Sequence, residues 1–216
     1  MRIKSVWMAI AALLITGISW ESWAFSTNIT DNIGSFTVKH GSKTVEVKRQ
    51  ADPNATLHSA FAKTGRRCPP YCAQPMEVAP GVKTIGEVEL VAFMLTHLQD
   101  GTGLLVDARS PNWHARGTIP GSVNVPYIDI NLSMGADPIT IADNLELFGA
   151  VQTDHGWDFS SANSLAVWCN GPWCGQSPAA IRGLLELGYP TEKIFYYRGG
   201  MQMWQIFGLT VTQPEY

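Results

Sequence analysis

The stretch LAVWCNGPWCGQSP, residues 165–178, contains the features that decide the fold. LAVWC is a short, wholly apolar run, which is typical of a strand buried on both faces of a sheet. Ser177-Pro178 is typical of a helix start, because serine is a good N-cap and proline suits the first helical position. The connecting loop contains two glycines, which permit backbone angles that other residues avoid. The stretch therefore predicts a strand ending at Cys169, a tight loop and a helix.

The same alternation of strand and helix continues on both sides of this stretch. Short apolar runs predict strands, and a capping-box pattern at Thr84–Glu87 predicts the start of a helix that ends near Gln99. Together these patterns predict an α/β fold, a central and mostly parallel sheet flanked by helices. The further predicted strands lie in 103–109, 119–126 and 193–197, and the further predicted helices are 141–150 and 177–188.

The N-terminal part of the chain has a different character. SFTVKH-GS-KTVEVKR predicts a β-hairpin, with Phe36, Val38, Val45 and Val47 alternating around a Gly41-Ser42 turn. We predict three segments on this basis. They are a signal peptide over residues 1–24, an extension with the hairpin and the CPPYC segment over 25–80, and an α/β domain over 81–216.

The signal peptide is predicted from the order of its regions. Arg2 and Lys4 precede an uncharged run over residues 5–20, and Ser22-Trp23-Ala24 offers small residues to a signal peptidase. The alternative, an uncleaved anchor, is disfavoured because 16 residues fall short of the roughly 20 that a membrane-spanning helix needs. The sequence therefore predicts a periplasmic or secreted protein that has no membrane association after cleavage.

Composition and charge narrow the class of protein. A chain of 216 residues with 45% hydrophobic content can bury one sizeable core. Loss of residues 1–24 removes Arg2, Lys4 and Glu21, which leaves 13 basic and 17 acidic residues and a net charge of −4. No basic stripe is present in the sequence, so we predict no nucleic-acid partner. In an exported protein, a catalytic cysteine needs protection from oxidation or a reducing partner.

Cys169 is the candidate nucleophile on physical grounds alone. In open α/β sheets, ligands bind at the carboxyl ends of strands, close to helix N-termini. The loop after Cys169 can curl so that its N–H groups point inward and bind an anion. Backbone amides and the positive end of a helix lower the pKa of a nearby thiol. The pattern therefore predicts an activated thiol at Cys169.

Four motifs in the same order as in a known family then give a resemblance over about residues 82–212. They are D-x-R (Asp107, Arg109), the segment Gly117–Pro126, the strand–Cys–loop–helix described above, and the final R-G-G-x-x-x-W (Arg198–Trp204). The chain resembles a rhodanese-like sulfurtransferase domain.

The resemblance implies an activity and a set of partners. Cys169 would take a sulfane sulfur from a small sulfur-containing donor as a persulfide and pass it to a thiol or other nucleophile. It implies no cofactor and no metal, and the acceptor could be a redox protein. The residues implied to bind substrate are Asn170, Gly171, Pro172, Trp173, Cys174 and Gly175.

The loop departs from the family pattern in two ways. It is about one residue longer than the common loop, and it contains no Arg or Lys to pair with an anionic donor. Gly175 occupies the position where related phosphatases carry their phosphate-binding arginine, which argues against phosphatase activity. The missing charge could come from elsewhere in the chain, and the candidates are Arg66, Arg67 and Arg116.

Cys174 is the second cysteine of the loop, and three roles stay open for it. It could be a residue without chemistry, a resolving cysteine that forms a disulfide with Cys169, or a metal ligand. Metal binding is the least favoured, because no Cys/His spacing resembles a zinc site. If the loop amides point inward, the Cys174 side chain is expected to point outward or along the rim.

Cys68 and Cys72 of CPPYC are most simply explained by a structural disulfide in an exported protein. A local bridge requires Cα atoms within about 7 Å, and therefore a turn at Tyr71 or a cis bond at Pro70. A redox or sulfur-relay pair that faces Cys169, or unpaired thiols, are the alternatives.

The remaining polar residues are expected to support structure. Asp107 and Arg109 brace the strand ends, and His114 and His155 fix loops or lie at the surface. Two other functions stay open for the whole chain. One is a thiol–disulfide oxidoreductase that uses Cys169 with Cys174 or with Cys68 and Cys72, and the other is a non-catalytic interaction module.

Overall fold

Strands and helices alternate along the chain from residue 83 onwards, except for three successive strands within residues 151–168, in the computed structural model, which describes residues 27–214. A π-helical turn over Met94–Leu98 extends the second helix, and 3₁₀ turns cover Leu132–Met134 and Thr191–Lys193. The strands are β1 (Ser35–His40), β2 (Lys43–Lys48), β3 (Lys83–Ile85), β4 (Gly103–Asp107), β5 (Ser122–Asn124), β6 (Val151–Thr153), β7 (Gly156–Asp158), β8 (Ser164–Trp168) and β9 (Ile194–Tyr197). The helices are α1 (Ser59–Ala62), α2 (Glu87–Phe93), α3 (Pro111–His114), α4 (Pro138–Leu147), α5 (Gln176–Glu186) and α6 (Gly200–Ile206).

The central sheet has five strands in the order β3–β9–β8–β4–β5, and every neighbouring pair is parallel. In this register Trp168 lies opposite Asp107 on one side and Tyr197 on the other. The carboxyl ends of β4, β8 and β9 therefore meet at one edge of the sheet. The predicted fold class, a parallel sheet flanked by helices, is confirmed.

The sheet is buried on both faces because its central strands, β4 and β8, are apolar between a first residue of Gly or Ser and their last residue. Along β8, Leu165 and Val167 belong to the core on one face, whereas Ala166 and Trp168 belong to the core on the other. This alternation follows from the two-residue period of a strand. The first core includes residues of α4 and α5, and the second includes residues of α2 and α6.

The predicted β-hairpin is also confirmed. β1 and β2 pair in antiparallel fashion with Phe36 opposite Val47 and Val38 opposite Val45, around a turn at residues 41–42. Val38 and Val47 are buried in the same core as α2 and α6. The hairpin therefore packs onto the sheet domain. The division at residue 80 stays a prediction, and the predicted signal peptide lies outside the described residues.

Three predicted helix starts are displaced in the structure. Gly86, not Thr84, precedes α2, and its N–H donates to the Glu89 carboxylate. α4 begins at Pro138 instead of residue 141, because the Asp137 side chain accepts from the N–H groups of the first turn. α5 begins at Gln176 after Gly175, so Ser177 is not its N-cap. The hydroxyl of Ser177 has a different partner, described next.

Candidate active site

The thiol of Cys169 lies at the carboxyl end of β8, directly after the last strand residue. The residue is only 2% exposed. Its backbone carbonyl accepts from the N–H of Met201, 2.9 Å away, at the start of α6. The loop 170–175 then leads into α5. The strand end and the start of α5 thus enclose the cysteine, as the sequence predicts.

Hydrogen bonds to the sulfur of Cys169 set its ionisation. The Ser177 hydroxyl donates to Cys169 Sγ at 3.0 Å, and the protonated thiol can donate to the Cys174 carbonyl oxygen at 3.3 Å. Burial alone raises the pKa of Cys169. Hydrogen bonds from the Cys174 thiol, the Ser177 hydroxyl and the N–H groups of Ser177 and Gly171 outweigh it and lower the pKa to about 7. A large fraction of this thiol is therefore thiolate, the nucleophilic form, at neutral pH.

Cys174 is buried beside Cys169, so the expectation that its side chain points outward or along the rim is wrong. It is 4% exposed, and its sulfur lies 3.6 Å from Gln176 Oε1 and 4.0 Å from Asn170 Nδ2. Burial raises the pKa of Cys174 well above its usual value, and the hydrogen bond to Cys169 and the charge of Cys169 raise it further. Both cysteines are free thiols, and Cys174 remains protonated when Cys169 ionises.

The start of α6 holds the loop in shape. The N–H of Gln202 donates to the Asn170 carbonyl at 3.0 Å, next to the Met201–Cys169 bond. Gly200 has φ +56°, and a methyl group at this position would collide with the Cys169 carbonyl and lie 2.7 Å from the Gly171 nitrogen. Glycine is required at residue 200 because both the close approach and the left-handed backbone exclude a side chain.

The six predicted substrate-binding residues occupy different positions around the thiol. The backbone N–H of Gly171 helps to stabilise the Cys169 thiolate. The backbone N–H of Cys174 donates to the Gly171 carbonyl instead. Asn170 is buried, and its Oδ1 has no hydrogen-bond partner. Pro172, Trp173 and Gly175 are half-buried on the outer side of the loop. The indole N–H of Trp173 donates to Gln202 Oε1 at 2.7 Å.

Asp107 and Arg109 form a buried ion pair at the carboxyl end of β4. Arg109 donates to both carboxylate oxygens, at 2.8 and 2.6 Å, and also to the Gly117 carbonyl at 2.7 Å. His114 Nδ1 lies 2.8 Å from the same carboxylate, so His114 fixes the loop after β4. Burial raises the pKa of Asp107, but the hydrogen bonds and charge of Arg109, together with His114, lower it below its usual value. The Arg109 guanidinium also stacks 4.6 Å from the ring centroid of Trp168.

Cys68 and Cys72 are joined by a disulfide, with Cα atoms 4.7 Å apart. The peptide bonds before Pro69 and Pro70 are cis, and a cis bond at Pro70 is one of the two arrangements, with a turn at Tyr71, predicted to allow a local bridge. The segment around the disulfide lies against the loop. The Gln74 N–H donates to the Pro172 carbonyl at 2.8 Å, and the Tyr71 ring meets that of Trp173 edge-on at 5.6 Å.

Sequence patterns do not identify several residues of the site. Ser177 has a local signal, since it precedes Pro178, but that signal predicts a helix cap. Gln202 and the contacts of residues 61–76 with the loop carried no local signal, because they depend on pairs far apart in the chain. His155 lies exposed in the turn between β6 and β7, away from these groups.

Within residues 27–214, no group of three or more His, Cys, Asp or Glu side chains is arranged to hold a metal ion. Over the same range, no helix is both long and apolar enough to cross a membrane.

Comparison with known proteins identifies the family. A model of the rhodanese-like domain matches residues 91–206, which is more than half of the chain. The chain therefore belongs to the rhodanese-like domain family, and the resemblance found in the sequence motifs is confirmed. Membership of this family supports a role in sulfur transfer in general terms.

Individual relatives are distant. The HTH-type transcriptional regulator Rv0324 of Mycobacterium tuberculosis is 24% identical over 122 residues, which cover 56% of this chain and 43% of that protein. This chain thus spans less than half the length of that relative. A human single-domain sulfurtransferase, TSTD1, is 23% identical with a TM-score of 0.38, and the match covers 58% of this chain and 96% of that one. A thiosulfate sulfurtransferase from Pseudomonas aeruginosa is 18% identical with a TM-score of 0.44, covering 65% and 22% respectively.

Proposed function

We propose that the protein is a sulfurtransferase that carries a sulfane sulfur as a persulfide on Cys169. The proposal rests on the groups that surround the Cys169 thiol. Ser177, Cys174 and two backbone N–H groups lower the pKa of the buried Cys169 to about 7. The family's general association with sulfur transfer supports the same conclusion.

The proposed reaction needs no external oxidant or reductant. The Cys169 thiolate attacks the terminal sulfur of a small donor, such as thiosulfate or a persulfide. A new sulfur–sulfur bond forms on Cys169 as the donor's own sulfur–sulfur bond breaks, and the donor leaves as sulfite or as a thiolate. The thiolate of an acceptor then attacks the outer sulfur of the Cys169 persulfide and releases Cys169 as a thiolate.

The N–H and O–H groups that stabilise the thiolate would also stabilise a charged persulfide. A persulfide anion is an extended thiolate, so the donors at Gly171 and Ser177 remain suited to its charge. Burial of Cys169 at 2% exposure would limit contact of the unloaded thiol with oxidants in solution. Such protection matters for the predicted periplasmic or secreted location, where free thiols are oxidised.

The test is to incubate reduced protein with thiosulfate or an inorganic polysulfide and to measure its intact mass. We expect a gain of one sulfur atom per chain, which is absent in a Cys169→Ser variant and is discharged by an added thiol with a persulfide as product. No gain of sulfur with either donor would contradict the proposal.

A second function is favoured by one specific observation, the presence of two buried free thiols, Cys169 and Cys174, in the same loop. A neighbouring thiol could attack oxidised Cys169 and form a disulfide, as a thiol–disulfide oxidoreductase requires. This alternative predicts a reversible bond between residues 169 and 174 in protein treated with a disulfide oxidant. Peptide mass spectrometry that detects only unlinked cysteines after such treatment would exclude it.

A further inference from the structure

The side chain of Tyr196, on β9, is buried with its hydroxyl unpaired. The residue is 1% exposed, and the hydroxyl has no hydrogen-bond partner among the residues that the structure describes. Two other buried tyrosines do have acceptors. Tyr189 donates to the Asn163 carbonyl at 2.6 Å, and Tyr197 donates to Glu87 Oε1 at 3.0 Å. A buried hydroxyl that stays unpaired lowers stability, so this one requires an explanation.

The register of the sheet places Tyr196 beside the strand that ends at Cys169. Tyr196 pairs with Val167 of β8, and both side chains belong to the same core. Cys169 follows Val167 by two residues, so the two-residue period of a strand puts it on the same face. Diagonal neighbours of this kind lie within reach of an aromatic side chain. The ring of Tyr196 therefore extends toward the end of β8.

Helix α5 approaches the sulfur of Cys169 from the same core. Ala180 and Ile181 are three and four residues after Ser177, and both pack in the core that contains Tyr196. The helical period puts Ser177 on this face of α5 as well. Its hydroxyl donates to Cys169 Sγ at 3.0 Å. Tyr196 and Ser177 thus approach the end of β8 from one side of the sheet.

The ionisation of Tyr196 agrees with this position. Burial raises the pKa of Tyr196 above its usual value, and the charge of Cys169 raises it further, whereas the charge of Arg198 lowers it. The phenol therefore stays protonated at the pH where Cys169 ionises, and its O–H group can donate to an anion. In the unloaded protein it does not donate to Cys169 Sγ, because the hydroxyl has no partner there.

We infer that the Tyr196 hydroxyl donates a hydrogen bond to the outer sulfur that Cys169 carries after loading. A sulfur–sulfur bond places this atom about 2 Å beyond Sγ, so loading supplies the acceptor that the hydroxyl lacks in the unloaded protein. A negative charge on the acceptor strengthens the bond. Tyr196 then stabilises the persulfide alone, whereas Ser177 also donates to the thiolate. The inference rests on the proposed sulfurtransferase function and adds to it a residue from outside the active-site loop.

The test is the equilibrium between loaded and unloaded protein in Tyr196→Phe, a variant that removes the hydroxyl and keeps the ring. Reduced protein is equilibrated with a donor and its product at a fixed ratio, either thiosulfate with sulfite or glutathione persulfide with glutathione. Intact mass gives the loaded fraction. We expect the equilibrium constant for loading to fall by about tenfold or more, because a hydrogen bond to a charged acceptor is lost. An unchanged constant would overturn the inference and leave the sulfurtransferase proposal standing.

The unloaded protein provides a readout that separates this role from a structural one. In Tyr196→Phe, the rate of Cys169 alkylation should depend on pH as it does in the wild type, because the hydroxyl does not bind the thiolate. A fall in loading with unchanged alkylation supports the inference. A parallel fall in loading and alkylation would show that the substitution disturbs the loop, and the inference would be wrong.

Tyr189→Phe is the matched control, because it removes a hydroxyl from the same core whose acceptors are the Asn163 and Phe148 carbonyls. This variant should be less stable than the wild type but should load sulfur with an unchanged equilibrium constant. Tyr196→Phe should resist urea at least as well as the wild type, since its hydroxyl has no partner to lose. Lower stability would show that the hydroxyl is already paired, against the inference. If neither donor loads the wild type, the sulfurtransferase proposal fails and the inference fails with it.

Discussion

The four cysteines form two closely spaced pairs with opposite properties. Cys68 and Cys72 are four residues apart and are joined by a disulfide near the surface. Cys169 and Cys174 are five residues apart and are buried as free thiols. The spacing is nearly equal, so spacing does not decide the chemistry. The surroundings of the two pairs differ instead. The first pair flanks two prolines and a tyrosine, whereas the second pair lies between the end of β8 and the start of α5.

Within the second pair, the surroundings lower the pKa of one thiol and raise the pKa of its neighbour. Burial raises the pKa of Cys169, but hydrogen bonds from the Cys174 thiol, the Ser177 hydroxyl and two N–H groups lower it to about 7. Burial raises the pKa of Cys174 well above the usual value, and the neighbouring Cys169 thiolate raises it further. One thiol therefore becomes the nucleophile, and the other stays protonated and can donate to it.

The largest effect is expected from replacing each loop cysteine separately. Cys169→Ser should abolish sulfur loading, because it removes the nucleophile. Cys174→Ser should still load one sulfur per chain, because its hydroxyl can donate to the thiolate as the thiol does. Intact mass after one exposure to donor measures both variants. Loss of loading in Cys174→Ser would contradict the difference between the two thiols.

The next largest effect is a loss of stability, expected when the contact between Gly200 and the active-site loop is disturbed. Gly200→Ala should reduce the free energy of unfolding by about 2–5 kcal/mol, because it combines a left-handed backbone with a clash against the Cys169 carbonyl. Gly101→Ala is the control, since Gly101 has φ +70° but nothing within 4 Å of an added methyl group. It should cost about 1–2 kcal/mol. Equal losses in urea unfolding would argue against close packing of Gly200 on the loop.

A smaller loss of stability is expected when the disulfide between Cys68 and Cys72 is removed. The double variant Cys68→Ser/Cys72→Ser should lose about 2 kcal/mol of unfolding free energy, the value expected for so short a closed loop. Thermal unfolding against the wild type under non-reducing conditions measures this. Sulfur loading should persist, since neither residue touches the Cys169 sulfur. Complete loss of loading in a folded double variant would favour the relay role for this pair.

The smallest effect is expected at Ser177. Ser177→Ala removes one hydrogen bond to the thiolate, worth about 1–2 kcal/mol, and should therefore raise the pKa of Cys169 by about one unit. The alkylation rate at pH 7 should fall accordingly, while the rate at high pH should match the wild type. Ser161→Ala, which lies outside the site, is a suitable control. A lower rate at every pH would indicate a disturbed loop instead of a changed pKa.

The sequence allowed much of this architecture to be predicted, for a physical reason. β4, β8 and β9 are short apolar runs, and the hairpin alternates with a two-residue period, so local pattern and tertiary position agree. Cys169 could be singled out because a strand end next to a helix start is a recurrent site for ligands.

Other features could not be predicted because they depend on distant contacts. The inward position of Cys174 follows from the loop path that Gly200 and Gln202 hold, some 30 residues further along the chain by sequence number. The local sequence predicts that Ser177 is a helix cap, because serine before proline is typical of a helix start. In the structure α5 begins one residue earlier, and the Ser177 hydroxyl donates to Cys169 Sγ. The contact between Arg66 and Trp173 joins segments more than 100 residues apart, and no local pattern encodes it.

The fold lowers the pKa of Cys169, so that its thiolate forms while Cys174 stays protonated. The most direct measurement is the rate of iodoacetamide alkylation at each cysteine as a function of pH, resolved by peptide mass spectrometry. Because the pKa of Cys169 is lowered, its rate should rise with pH and reach half its maximum near pH 7, while the rate of Cys174 should rise only well above the pH at which an ordinary cysteine ionises. The account is contradicted if both thiols titrate together near the ordinary cysteine value, or if Cys174 ionises first.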